Sequence, residues 1–265
     1  MGSAVVPPAH VPLWVIPFTD HCLEAAGLMW TIVYVSFVYT SLRDKTYGMP
    51  LIVLSSNMAW EFVYGVWVSE DPLEKIAFTS WFIVDIGLIY ATLKHGRNEW
   101  SHAPFMQRHL FVVFGALCAV MVGFQYSFAS WWIENRIGSD RGRTYRGITP
   151  GPDIKELNFW SATIAQALSG VAFLAQLLVR WDNRGHSWFV WTLRTFGTVI
   201  GLTVFYAVRW WYWPEAYGYF VNPFALWATI IGFVTDFAYG GLMLYIQHEQ
   251  AAKGRHRRPE KTKQN

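Results

Sequence analysis

Asn57, Glu61 and Tyr64 stand inside a largely apolar run from about residue 49 to residue 68, with Glu61 its one carboxyl. Spacings of four and three residues put them on one face of a helix, and that face must point into protein and not into lipid. An ionisable group at membrane depth costs about 2.5–3.5 kcal/mol to insert, so a carboxyl kept there needs a chemical role or a partner. A carboxyl shut away from water is easily held as a neutral acid near pH 7, the form that can protonate an epoxide or an alkene. Three more ionisable residues fall within apolar runs: Asp85, Arg194 and Asp236. Asp236 has Gly232 and Gly240 at i−4 and i+4, where missing side chains let another helix come close. The bland alternative is that Glu61, Asp85, Arg194 and Asp236 form an ion-paired network that only fixes helix packing.

The elements that must position these groups are membrane helices. The chain is 53% hydrophobic and 15% charged, with its apolar residues in long blocks. Windows of about 20 apolar residues fit at roughly 22–42, 49–69, 75–94, 109–131, 157–179, 188–210 and 224–247. This predicts an all-α integral membrane bundle of seven transmembrane helices over residues 20–248, with one long connection at 132–156. Residues 1–19 read as an interfacial arm: Pro7, Pro8, Pro12 and Pro17 break a helix there, and no Lys or Arg precedes Arg43 to open a cleaved signal peptide. Residues 249–265 read as a basic tail whose Lys253, Arg255, Arg257, Arg258, Lys261 and Lys263 suit the surface of a lipid bilayer better than nucleic acid. Lys and Arg sorted by side place the N-terminus lumenal or outside and the C-terminus cytoplasmic.

Several chemistries lack their residues. Cys22 and Cys118 stand alone in apolar runs, without metal-ligand spacing. No paired-aspartate motif is present to hold Mg²⁺ on a diphosphate, and residues 224–247 contain no lysine for a retinal Schiff base. His95, His102 and His109 are evenly spaced but interrupted by Gly96 and Pro104, so they read as loop residues and not as a metal site. No cofactor is therefore expected. Aromatic residues make up 18% of the chain. Trp131, Trp132, Trp210, Trp211 and Trp213 suit interfacial belts. Trp60, Tyr64, Trp81, Tyr90, Phe196, Phe205 and Tyr239 read first as core packing and second as ring faces lining a pocket that stabilises carbocations. Composition and topology alone leave an enzyme and a seven-helix proton-coupled transporter or receptor equally open.

The string Asn57-Met58-Ala59-Trp60-Glu61-Phe62-Val63-Tyr64, preceded by Lys45-Thr46-Tyr47-Gly48-Met49, resembles the signature of the small integral-membrane terpene cyclases of meroterpenoid pathways. That family includes the pyripyropene and terretonin cyclases and the paxilline-type indole-diterpene cyclases. Asn98 to Pro104, Arg209 to Ala216, and Asp236 with Tyr239-Gly240 match further segments in the same order. The resemblance implies a metal-independent enzyme that protonates the terminal epoxide of a prenyl chain on an aromatic or indole head and guides the cation through ring closures. It implies Glu61 and Asp236 as the essential pair, with Glu61 the proton donor and Asp236 reprotonating it, orienting it or taking the final proton. Asn57, Trp60, Tyr64, Asp85, Arg194, Arg209 and Tyr239 are expected in the substrate pocket or just behind it. The expected partners are an epoxyprenylated small molecule and, in the same membrane, an epoxidase and a prenyltransferase. A fungal source would place the chain in the endoplasmic reticulum. The long connection and the basic tail depart from shorter relatives, and the connection is positioned to shape substrate access.

Overall fold

The computed structural model describes residues 7–256 of the chain. Seven helical spans are long and apolar enough to cross a membrane. They are α1 (Val15–Asp44), α2 (Leu51–Val63) with a π-helical turn (Tyr64–Val68), α3 (Pro72–His95) with a 3-10 turn (Gly96–Trp100), α4 (Pro104–Glu134) and α5 (Ile154–Arg180). The sixth is built from α6 (Trp188–Thr198), a second π-helical turn (Val199–Val204) and α7 (Phe205–Tyr212). After the short α8 (Pro214–Tyr217), α9 (Pro223–His256) forms the seventh. The sequence states where these helices start. The Asp71 side chain accepts from the Leu73 N–H ahead of Pro72, Asp153 accepts from the Lys155 and Glu156 N–H groups, and Ser187 from that of Val190.

Four expectations need correction. The boundary at residue 19 falls inside α1, because Pro17 sits in the first turn, where its missing N–H forfeits no intrahelical bond. At the other end α9 continues past residue 248, while residues 1–6 and 257–265, with Arg257, Arg258, Lys261 and Lys263 of the basic tail, lie outside the described residues. His95 closes α3 and His109 lies within α4 at a local kink, so both are helical; His102 alone is in the turn between them. Trp132 and Trp213 are buried instead of forming a belt. Trp132 spends its indole N–H on the Asp153 carbonyl at 3.1 Å, which holds the 135–153 connection to α4.

The span containing α2 is 67% buried, against 22–28% for the others, so it is the central helix and the rest surround it. Side chains such as Leu28, Val35, Ile83, Phe111, Trp227 and Val234 turn outward, as lipid-facing residues should. α5 and α9 pack along each other, and a side chain added at Gly170 would collide with the Gly232 carbonyl, 2.9 Å away, and with the Thr235 hydroxyl. The glycine that lets α5 and α9 come close is thus Gly170, since a side chain at Gly232 would meet only ordinary contacts, whereas Gly240 receives the Trp191 ring of α6.

Both ends of the bundle are latched by arginines. At the N-terminal end Arg209 donates to Thr19 Oγ1 (2.8 Å), Asp20 Oδ1 (2.6 Å) and Tyr217 Oη (2.7 Å), tying α7 to α1 and α8. Arg143 pairs with Asp153 at 3.1 Å and donates to the Ala216 carbonyl, drawing the 135–153 connection down onto α8. At the opposite end Arg180 donates to the Tyr47 carbonyl at 2.7 Å, Arg184 pairs with Glu99 at 3.0 Å, and the Gly185 N–H meets Asp44 at 2.9 Å. Gly185, at φ +77°, lies so close to Gly48 that neither position has room for a side chain.

His186 sits in that second latch, fully enclosed, with Nδ1 hydrogen-bonded to the Tyr239 hydroxyl at 2.8 Å. Burial, reinforced by the Arg180 and Arg194 charges, pulls its pKa from 6.5 down to about 3. Between these values the unfolded chain binds the proton and the folded one does not. Stability is therefore full above pH 6.5 and falls as pH drops toward 3, by up to about 1.4 kcal/mol per pH unit. Unfolding temperatures in detergent between pH 7 and pH 4 should show a shallower acid loss for His186→Asn than for the wild type. Equal slopes would discharge His186 from this role.

Candidate active site

Glu61, on the central helix, is 1% exposed and faces Asp85 of α3, itself 0% exposed, and Tyr34 of α1. Among the described residues no carboxyl oxygen of Glu61 or Asp85 has a partner at full hydrogen-bond geometry. Tyr34 is fixed by the same helix, its hydroxyl accepting from Asn57 Nδ2 at 2.9 Å. Aromatic rings wall the group. Trp81 stacks on Tyr34 at 6.3 Å and donates its N–H to Thr31 at 2.8 Å. Phe78 meets Trp60 edge-on at 4.7 Å and Trp81 at 5.7 Å, and Trp60 tilts over Tyr64 at 5.6 Å. Trp60 is locked by its bond to Ser161 Oγ of α5 at 3.0 Å. Immediately after these residues the helix widens into the π turn Tyr64–Val68, a local form common at functional positions.

A second cluster forms around Asp236 of α9. Its two oxygens take hydrogen bonds from the Arg194 guanidinium and the Thr195 hydroxyl of α6. Trp191 donates to its backbone carbonyl at 3.0 Å. The Arg194 guanidinium lies 4.1 Å from the Phe173 ring centre and 5.1 Å from that of Tyr239, so the cation is covered by rings as well as paired. Beside the pair, between α5, α6 and α9, is a cavity of about 30 Å³ whose polar lining includes Thr163, Gln166, Ser169, Arg194, Thr198 and Asp236. The second π turn, Val199–Val204, begins right after Thr198.

The structure therefore divides the four ionisable groups into two pairs, Glu61 with Asp85 and Arg194 with Asp236. α5 packs against both α2 and α9 and links the two clusters. Asn57, Trp60 and Tyr64 surround the first cluster and Tyr239 the second, whereas Arg209 makes its bonds in the N-terminal latch. Tyr90 and Phe196 point outward, and Phe205 packs beside Arg209, so these rings line neither cluster. Tyr34, Phe78, Thr163, Gln166, Thr195 and His186 escaped the sequence reading. Thr195 adjoins Arg194, which was a usable signal; the others reach the two clusters only through the packing of segments distant in sequence.

The comparisons with known proteins agree with this architecture. Residues 3–249 match the family model of the Pyr4-like transmembrane terpene cyclases. The chain is 36% identical to terpene cyclase ascF of Acremonium egyptiacum over 94% of its length and 89% of that protein. It is 31% identical to terpene cyclase paxB of Penicillium paxilli over 90% of each chain, and 30% identical to terpene cyclase pyr4 of Aspergillus fumigatus over 87% and 88%. No solved structure matches it. Seven membrane-length helices, buried acids at mid-span, the family match and three relatives that are terpene cyclases lead to one conclusion: the chain belongs to the Pyr4-like transmembrane terpene cyclases and is a multi-pass membrane enzyme.

Proposed function

We propose that this cyclase protonates the terminal epoxide of a prenyl chain, of epoxyfarnesyl type, on an aromatic polyketide-derived head. The observation that carries the reading is the Glu61–Asp85 pair, buried together among aromatic rings with no hydrogen-bond partner among the described residues. A proton kept on one of two neighbouring carboxyls removes the repulsion of two anions, and that proton is available to an incoming base. Glu61 gives it to the epoxide oxygen as the C–O bond opens, alkene π electrons close the rings in turn, and loss of a proton from the last cation makes the product an isomer of the substrate. The faces of Trp60, Tyr64, Phe78 and Trp81 stabilise the travelling positive charge. Asp236, already paired with a guanidinium, is equipped to orient the chain or accept the final proton, not to begin the reaction.

The same reading puts the N-terminus in the lumen of the endoplasmic reticulum and the C-terminus in the cytoplasm, by the bias of basic residues. It requires a prenyltransferase and an epoxidase in that membrane to supply the substrate. Membranes containing the chain, given a panel of epoxyfarnesyl and epoxygeranylgeranyl aromatics, should produce a chromatographic peak of unchanged mass. Conversion to products of altered mass would contradict the proposal. Excess chelator should leave the rate within about twofold of its starting value; a loss restored by Mg²⁺ would point to ionisation of a diphosphate instead.

A further inference from the structure

The phenol that faces the two acids is itself held on three sides. Tyr34 is buried, its ring stacks on Trp81 at 6.3 Å and meets Trp30 edge-on at 6.1 Å, and Trp81 is anchored by its own bond to Thr31. Its hydroxyl accepts from Asn57 Nδ2 at 2.9 Å. That amide nitrogen also lies 3.9 Å from Met49 Sδ, and a thioether can only accept, so the nitrogen and not the amide oxygen belongs on this side. The anchoring residues stand one helical turn before the two acids, Asn57 before Glu61 on α2 and Trp81 before Asp85 on α3. The Tyr34 hydroxyl is therefore delivered to the acids by the same helix faces that carry them. It receives a hydrogen from Asn57, so its own proton is left to donate. Glu61 is the carboxyl within reach of that proton, while Asp85 lies beyond, within reach of Glu61 and acting on Tyr34 through charge alone.

We propose that Tyr34 is a positioning residue for the proton donor: its hydroxyl donates to one oxygen of the neutral Glu61 carboxyl and confines the acidic proton to the other. The inference rests on the reading of Glu61 as the acid that opens an epoxide. In that step the Glu61 proton passes to the epoxide oxygen, the electron pair of the broken O–H bond stays on the carboxyl, and the electron pair of the broken C–O bond stays on the epoxide oxygen, now a hydroxyl. The bond from Tyr34 changes meanwhile from a neutral one to a charge-assisted one, which is roughly twice as strong. It is thus stronger in the transition state than in the resting enzyme, and the difference appears as rate and not as affinity. Asn57 reinforces it, since a hydroxyl that accepts one hydrogen bond is polarised to donate another. The Asn57 amide thereby acts on the reaction through Tyr34, without touching the substrate.

Infrared spectroscopy tests it without requiring turnover. For the full chain in lipid nanodiscs, the carbonyl stretch of the protonated Glu61 carboxyl is the band that disappears in Glu61→Gln. Tyr34→Phe removes the donor and should move that band to higher wavenumber, because a carbonyl freed from a hydrogen bond stiffens. A 3-fluorotyrosine placed at residue 34 keeps the ring and donates more strongly, so it should move the band the other way. Packing alone would not give opposite shifts, and the fluorinated chain keeps the assay decisive if the phenylalanine variant fails to fold. With substrate, Tyr34→Phe should lower kcat about tenfold or more and leave KM within about twofold. A Glu61 band that ignores both changes at residue 34, or a rise in KM without a fall in kcat, overturns the role of Tyr34 while leaving the acid in place. Absence of any band that depends on Glu61 overturns the neutral acid and the role of Tyr34 with it. Opposite shifts without isomerisation of any epoxyprenyl aromatic would count against the cyclase chemistry and leave the bond from Tyr34 to Glu61 standing.

Discussion

Glu61→Gln should abolish cyclisation, by at least about a hundredfold, while the protein still folds and inserts. Glutamine keeps the size and shape of the side chain but has no acidic proton to give. The fold should survive because neither Glu61 oxygen has a partner at full hydrogen-bond geometry among the described residues, and the amide of glutamine gains Asp85 as an acceptor. The readout is the isomer peak from membranes carrying equal amounts of wild-type and variant protein, with unfolding temperature as the control. Turnover at a tenth of wild type or more would remove Glu61 as the proton donor. Asp85→Asn should then be the next variant made, since Asp85 is the carboxyl facing Glu61 in the same enclosure.

Asp236→Asn should lose both activity and stability, and the two losses can be separated. Its carboxylate is the partner of a guanidinium that is otherwise shut inside the bundle, and removing one member of such a pair costs about 3–5 kcal/mol. A drop in activity from this variant alone would therefore say little about chemistry. The double variant Arg194→Gln/Asp236→Asn removes the orphaned charge and should recover most of the unfolding temperature, while activity stays at least about a hundredfold down. If the double variant regains a tenth of wild-type turnover, Asp236 serves packing and the packing-network explanation is right for this pair.

How much of this was legible before any coordinates depends on the kind of feature. The seven spans were written in the length of the apolar runs, because lipid admits only helices that satisfy their own backbone. The shared face of Asn57, Glu61 and Tyr64 followed from helical spacing, as did the close approach at Gly240. Partner choice did not follow. Whether Glu61 would meet Asp85 or Arg194 depends on the rotation and order of helices, which local spacing does not encode. The π turns were invisible too, since Tyr64–Val68 and Val199–Val204 contain no proline and differ from ordinary helix only in backbone winding. The family-matching segments outside the acids are instructive in another way. Glu99 and Arg209 stand in such segments, yet both work in the latches at the two ends of the bundle, where Glu99 meets Arg184 and Arg209 meets Asp20.

Those latches bear on how concentration itself must be counted for this enzyme. With arginine ties across both water-facing ends, the proposed reading brings an oily epoxyprenyl substrate to the buried acids sideways, from among the acyl chains, and lets the polycyclic product leave the same way. The relevant abundance is then a mole fraction in the bilayer. Added lipid slows turnover by dilution in two dimensions even when the amount of substrate per millilitre is unchanged. A Michaelis constant written in molar units would describe the vesicle preparation, and only the surface mole fraction describes the protein.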